Sequence, residues 1–207
     1  MDGLLVGRGP TADAVEPPSR AGAEGMIAAL LRFIGEDPGR EGLRETPARV
    51  VRAFEEHFAG YAIDPEAVLA RTFEETEGYD DMVALCGIRF TSHCEHHMAP
   101  IVGVAHVAYL PRHRVVGISK LARVVEAYAK RLQIQERMTR QVAQAIDRAL
   151  EPVGVAVVIE AEHHCMTARG VRKPDARLVT RSMLGAFAED RMRRREFEAA
   201  IRAQRGD

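Results

Sequence analysis

Apolar positions along this chain change period several times. From Met26 they fall at helical spacing (Met26, Ile27, Leu30, Leu31, Ile34) until Asp37-Pro38-Gly39 breaks the run. Thr46-Pro47 then reads as an N-cap followed by a first-turn proline, and Val50, Val51, Phe54 and Phe58 give the buried stripe of a second helix. From Met82 the period becomes two. Val83, Leu85 and Gly87 alternate with Ala84, Cys86 and Ile88 up to Phe90, and a second alternating run from Ile101 ends at Leu110, before Pro111. The two runs predict an antiparallel hairpin with residues 93–97 in its connection, where a rigid scaffold presents reactive groups.

Helical spacing returns after Gly117. Ser119 is the expected cap of a helix whose inner face is Leu121, Val124, Val125, Tyr128 and Leu132. A further helix is expected from Gln135 to Leu150, with Met138, Val142, Ile146 and Ala149 inward and Pro152 stopping it. Val153 to Ala161 reads as a strand that delivers Glu162, His163, His164 and Cys165 at its end. A last strand is expected over Leu178 to Met183, and the charged tail from Glu189 reads as a helix. Hairpins with helices between them predict the α+β class. A small sheet with helices on one side leaves edges that need covering, and self-association would supply that. Residues 1–22, rich in Gly, Ala and Pro and without a period, are expected to form a flexible extension. Residues 23–207 are read as one domain: N-terminal helices over 23–60, a core over about 80–188 and a C-terminal helix over about 189–204.

Composition narrows the classes. Apolar residues make up 46% of the 207, enough for a core, and a net charge of −1 offers no basic field for nucleic acid. An anionic ligand must therefore meet local clusters of Arg and Lys. No run approaches the roughly 18 apolar residues of a membrane helix, and the start has no signal-peptide pattern. Three cysteines make no disulfide framework, so a reducing cytoplasm is expected. Cys86, in an apolar segment, reads as a small buried hydrophobe.

Candidate chemistry concentrates in two places. Cys94-Glu95-His96-His97 and His163-His164-Cys165, with His93, hold five of the eight histidines and two of the three cysteines. Thiolates and imidazoles suit zinc, and three protein ligands would leave a position open for chemistry. Cys94 and His97 fit one turn, with Cys165 joining from a distant strand end. Two other readings remain open at this point: a structural zinc knot with four ligands including His96 or His164, and ordinary surface histidines. If Cys94, His97 and Cys165 bind a metal, His96 and His163 stand beside it, either for proton transfer or merely to orient ligands. Lys120 and Arg123 share the first turn of a helix, where an anion is favoured, although a solvated first turn fits equally. Glu136 could accept two adjacent N–H donors or simply favour the helix dipole. Arg169, Arg172 and Lys173 form a local cationic excess that a solvated turn would also explain.

Taken together, Cys94-Glu95-His96-His97, Gly117-Ile118-Ser119-Lys120-Leu121-Ala122-Arg123, Gln135-Glu136-Arg137-Met138-Thr139 and His163-His164-Cys165-Met166 with Arg169-Gly170-Val171 resemble GTP cyclohydrolase I. The likeness runs from about Glu45-Thr46-Pro47-Ala48-Arg49 to the C-terminal helix, more weakly over the first helix, and leaves residues 1–22 uncovered. It implies the tunnelling fold, a four-stranded antiparallel sheet with two helices on one face, assembled as a cytoplasmic homodecamer with active sites at subunit interfaces. It implies conversion of GTP and water to formate and 7,8-dihydroneopterin triphosphate, feeding tetrahydrofolate, another pterin or a deazaguanine product. Carried over by position, Cys94, His97 and Cys165 would hold one Zn2+ per subunit, whose water would attack C8 of the purine. His163 would protonate the ring nitrogen, with His96 beside it, and Ser119 would help the later ribose rearrangement. Glu136, with backbone at Gln135, would read the guanine edge. Lys120, Arg123 and Arg169 would grip the triphosphate, joined by Arg49 of an adjacent subunit. Two residues depart from the pattern: His93, expected to be a bystander, and Asp175, which adds negative charge near the presumed phosphate site. The alternative function is a catalytically silent purine- or pterin-binding oligomer that keeps its zinc. A third is reduction of a nitrile on a deazapurine, for which Cys86 makes a poor nucleophile.

Overall fold

The computed structural model describes residues 16–74 and 81–206. They fall into two compact units, one ending at Ala62 and one starting at Ile63.

In the first unit, α1 (Arg20–Phe33) packs against α2 (Thr46–His57). The hydroxyl of Ser19 accepts the Gly22 N–H at 3.2 Å and caps α1. Residues 20–22, expected in the extension, are therefore helical; residues 1–15 lie outside the described residues. In α2 the cap position falls on Glu45, which makes no side-chain cap bond, and Thr46 is already helical. Pro47 sits in the first turn, where its missing N–H costs nothing. The Phe54 and Phe58 rings meet edge-on with centroids 5.5 Å apart.

The second unit opens with α3 (Pro65–Leu69), capped by Asp64, and with a two-stranded ribbon of β1 (Thr72–Phe73) and β4 (Val115–Val116). Its main sheet is built from four long strands: β2 (Val83–Cys94), β3 (Pro100–Leu110), β6 (Gly154–His163) and β7 (Leu178–Gly185). All three pairings among them are antiparallel, including the expected hairpin. A two-residue strand, β5 (Leu132–Gln133), adds in parallel beside the end of β2, so the order is β5-β2-β3-β6-β7.

Two helices cover one face: α4 (Ile118–Ala129) and α5 (Gln135–Leu150). Leu121, Val124 and Val125 from α4 and Met138, Val142 and Ile146 from α5 meet Ala105, Val107, Tyr109, Val155, Val157 and Ile159 of the sheet. Each such aliphatic side chain, fully buried, contributes about 1.5–3 kcal/mol. The cap of α4 is Gly117, not Ser119: Lys120 N–H already bonds Gly117 O at 2.8 Å, so the helix starts earlier and Ser119 caps nothing. After β6 a short α6 (His164–Thr167) follows, and after β7 a short α7 (Ala186–Glu189). The charged tail is α8 (Arg191–Arg205), which the Asp190 carboxylate caps by accepting from Met192 N–H. Its Phe197 and Ile201, with Phe187, pack on Ala108, Leu110, Ala156 and Val158 on the opposite face of the sheet. This is the α+β class expected, with the second face also partly covered.

Strict alternation along β2 fails in one place. A bulge shifts the register between Leu85 and Ile88, and Gly87 supplies the left-handed backbone there, with φ of 82°. Val83 and Leu85 therefore share a face with Ile88, Phe90 and Cys94. Without the extra residue Cys94 would point to the other face.

Candidate metal centre and active site

Both His/Cys clusters sit at one end of neighbouring strands. β2 ends at Cys94, His93 pairs with Pro100 at the start of β3, and Ile101 pairs with His163 at the end of β6. The connection after Cys94 is folded back tightly. Cys94 N–H donates to Ala99 O at 2.8 Å, Met98 N–H to Cys94 O at 2.8 Å, and Met98 adopts φ of 51°. Glu95 N–H donates to Gln133 O at 3.1 Å, and the Glu95 carboxylate accepts from the Arg137 guanidinium, which also reaches Gln133 Oε1 and Leu132 O at 3.4 Å. Helix α5 thus anchors the loop that carries His96 and His97.

The structure brings Cys94, His97 and Cys165 together: their ligand atoms lie within 4.8 Å of one another. Cys94 Sγ is 3.8 Å from His97 Nδ1. Tetrahedral zinc with thiolate and imidazole would set such atoms roughly 3.3–3.8 Å apart, so a small contraction suffices. Burial pushes the Cys165 thiol up, and the neighbouring Cys94 pushes it further, while Arg169 opposes both. A divalent cation bound beside Cys165 would reverse that balance and favour its thiolate. The residues fit a soft metal.

The neighbouring histidines are placed differently. His96 Nδ1 approaches Cys94 Sγ at 3.9 Å, but its side chain is 65% exposed and outside the three-residue group. His164 Nε2 lies 3.8 Å from the Glu162 carboxylate. Neither belongs to the group of three that converges among the described residues. His93 is buried in the sheet and also outside the group.

His163 is held by Gln135. The buried Gln135 amide sends Nε2 toward Ile159 O, Leu178 O and Thr180 Oγ1 at 3.0–3.1 Å. Two of those partners are carbonyls that can only accept, so Oε1 must be the atom facing His163 Nε2, at 2.8 Å. Nε2 of His163 therefore carries a hydrogen, and Nδ1 holds the lone pair of the neutral ring. Burial pulls the ring's pKa down, and the Glu136 carboxylate pulls it back up. Thr139 Oγ1 donates to Gln135 O at 2.8 Å and meets Thr180 Oγ1 at 2.6 Å, completing the support. The family resemblance gave Gln135 a backbone role at the guanine edge; its side chain's hold on His163 was not legible in the sequence.

The remaining candidates are less convergent. Glu136 is exposed at the start of α5, close enough to act electrostatically on His163. Arg169 acts likewise on Cys165. Ser119, Lys120 and Arg123 lie in the first two turns of α4, and among the described residues no hydrogen bond or ion pair ties their side chains to the metal group. Arg49, in the first unit, pairs with Glu45 at 2.6 Å. Asp175 is exposed. Cys86 packs beside the α8 core, and burial raises its pKa, consistent with an inert thiol.

Comparison with known proteins places these features in context. The profile of the GTP cyclohydrolase I family matches residues 23–202. A protein of Maricaulis maris (strain MCS10) named GTP cyclohydrolase 1 is 56% identical over 174 residues, covering 84% of this chain and 85% of its own length. One of Pelagibacter ubique (strain HTCC1062), with the same name, is 60% identical over 168 residues, covering 81% and 83%. A crystal structure of the apo archaeosine synthase QueF-Like overlaps 50% of this chain and 93% of its own at 19% identity, with a TM-score of 0.42, too distant to weigh on the site.

Proposed function

The chain belongs to the GTP cyclohydrolase I family, and we propose that Cys94, His97 and Cys165 hold the zinc ion on which its conversion of GTP and water to formate and 7,8-dihydroneopterin triphosphate depends. The observation that carries this is the convergence of two thiols and one imidazole within 4.8 Å, from parts of the chain far apart in sequence. Bound there, zinc would supply Lewis acidity for hydrolysis at neutral pH.

The other residues take roles from their chemistry. His163 would hold or release a proton at Nδ1, toward the purine ring, because Nε2 is committed to Gln135. His96, exposed beside Cys94, would act with it. Glu136 would accept the two adjacent N–H donors of guanine, an arrangement that rejects adenine because the carboxylate would be left unpaired. Lys120, Arg123 and Arg169 would bind the triphosphate, joined by Arg49 of a neighbouring subunit, and Ser119 would assist the ribose rearrangement.

The enzyme works as an oligomer, and a decamer is the proposed size. Two features support assembly. The outer edge of β7 has no strand beside it among the described residues, and α1 with its C-cap residue exposes Met26, Leu30, Phe33 and Ile34, with Phe33 at 85%. The cytoplasm is the proposed compartment, where the three free thiols stay reduced; no described helix is long and apolar enough to cross a membrane. Incubating the zinc-loaded protein with GTP and assaying formate and the fluorescent oxidised pterin tests the reading. Both products are expected; zinc present with neither product would leave the silent zinc oligomer instead.

A further inference from the structure

On the face of the sheet opposite Cys94, below the end of α8, lies a cavity of about 400 Å³ that the chemistry above does not use. Arg89, Val104 and Glu160 form one cross-strand row on this face through β2, β3 and β6, and His106 lies two residues along β3 from Val104. Arg177, just before β7, and Arg205, near the end of α8, complete its cationic wall.

The charges do not balance within the wall. Glu160 is taken by Arg205 in an ion pair. Arg89 and Arg177 have no carboxylate partner among the described residues, so two guanidiniums line one concavity uncompensated. The lining carries three positive groups against one negative.

His106 is 1% exposed, and its Nε2 has no hydrogen-bond partner. Its Nδ1 accepts the Gly87 N–H at 3.3 Å, so the hydrogen of the neutral ring must sit on Nε2. Burial lowers this histidine's pKa and keeps it neutral. The bulge at Gly87 is what turns that N–H toward the ring, and a Cβ there would come within 2.9 Å of the Gln204 side chain. A buried N–H donor without an acceptor is uncommon in folded proteins and marks a place where an acceptor belongs.

We propose that this cavity binds a phosphate dianion, free or as the phosphoryl group of a small metabolite, at a site separate from the metal group. A dianion matches the surplus of two positive charges, whereas a monocarboxylate leaves one unbalanced. Guanidiniums pair with phosphate oxygens in bidentate fashion. Exposed Gln204, at the end of α8, is the part of the wall free to shift as the anion approaches His106.

The test is equilibrium dialysis of radiolabelled inorganic phosphate against the zinc-loaded full-length protein and its Arg89→Gln/Arg177→Gln variant, at fixed ionic strength. Both arginines are exposed, so the variant keeps its fold. The wild type is expected to bind one more phosphate per chain than the variant, or to bind it at least about tenfold more tightly. Formate release from GTP is expected to stay within about twofold, so this result is independent of the active-site reading. Tighter binding of glycerol phosphate than of inorganic phosphate would identify a metabolite's phosphoryl group, and the reverse the free anion. Equal phosphate binding by the two proteins, or displacement by chloride as effective as by sulfate, would overturn the site.

Discussion

Cys94 and His106 stand on opposite faces of one sheet, and the two faces are finished in different ways. The face under α4 and α5 is a closed apolar layer in which Val107, Val157 and Ile159 are fully buried against Val124, Val142 and Ile146. At the end near the metal group polar side chains enter it, and there Gln135 and His163 satisfy each other. The face under α8 is apolar only around Phe197 and Ile201; beyond them it carries Arg89, Glu160 and a histidine with an unused donor. Rigid packing on the first face fixes ligand atoms to fractions of an ångström, which metal binding and proton transfer require. Partial cover on the second leaves room and charge for a ligand that needs no such precision.

That contrast can be broken most severely at the sulfurs. Cys165→Ala is expected to lose the metal and with it measurable formate release, whereas Cys86→Ala, on the α8 face, keeps both; metal analysis beside the formate assay reads the pair. His163→Ala should lower kcat by about 10²–10⁴-fold with metal content near normal, and loss of metal instead would make it a ligand. Gln135→Leu removes the acceptor of His163 Nε2 and strands two carbonyls, so kcat should fall about 10–100-fold with zinc retained. A kcat unchanged in this variant would mean that the clamp is only structural.

The smallest effect belongs to the other face. Burial, opposed by Glu160 and assisted by Arg205, holds the folded pKa of His106 below its ordinary value of 6.5. The unfolded chain therefore binds more protons between the two values, and stability rises with pH through that window. The contribution is complete above about 6.5 and is lost as pH falls below it. Urea midpoints at pH 7.5 and 5.5 should differ more in the wild type than in His106→Gln.

Much of this was legible from side-chain pattern alone. Period-two and period-3.6 runs located β2, β3, α4 and α5 because each commits one face to the layer between the two helices and the sheet. Cys94, His97 and Cys165 were legible because few pairings of thiol and imidazole have another use. What stayed hidden depended on backbone geometry that residue types do not encode. The bulge at Gly87 reverses which residues of β2 face α4 and α5, yet the sequence shows only an unbroken alternation. The two-residue β5 is too short to produce a pattern. Ser119 looked like a cap because serine favours that position, but the helix starts two residues earlier, with its first turn closing on Gly117 O. Gln135 was noticed for its place in a motif, while its role came from three acceptors brought from β6 and β7 by the fold.

Zinc K-edge absorption on the loaded protein tests the central claim most directly. Two sulfurs near 2.3 Å, one imidazole nitrogen and one further light atom from solvent are expected, at about one zinc per chain. A third sulfur, a second imidazole completing the shell, or a protein that retains no zinc would contradict it.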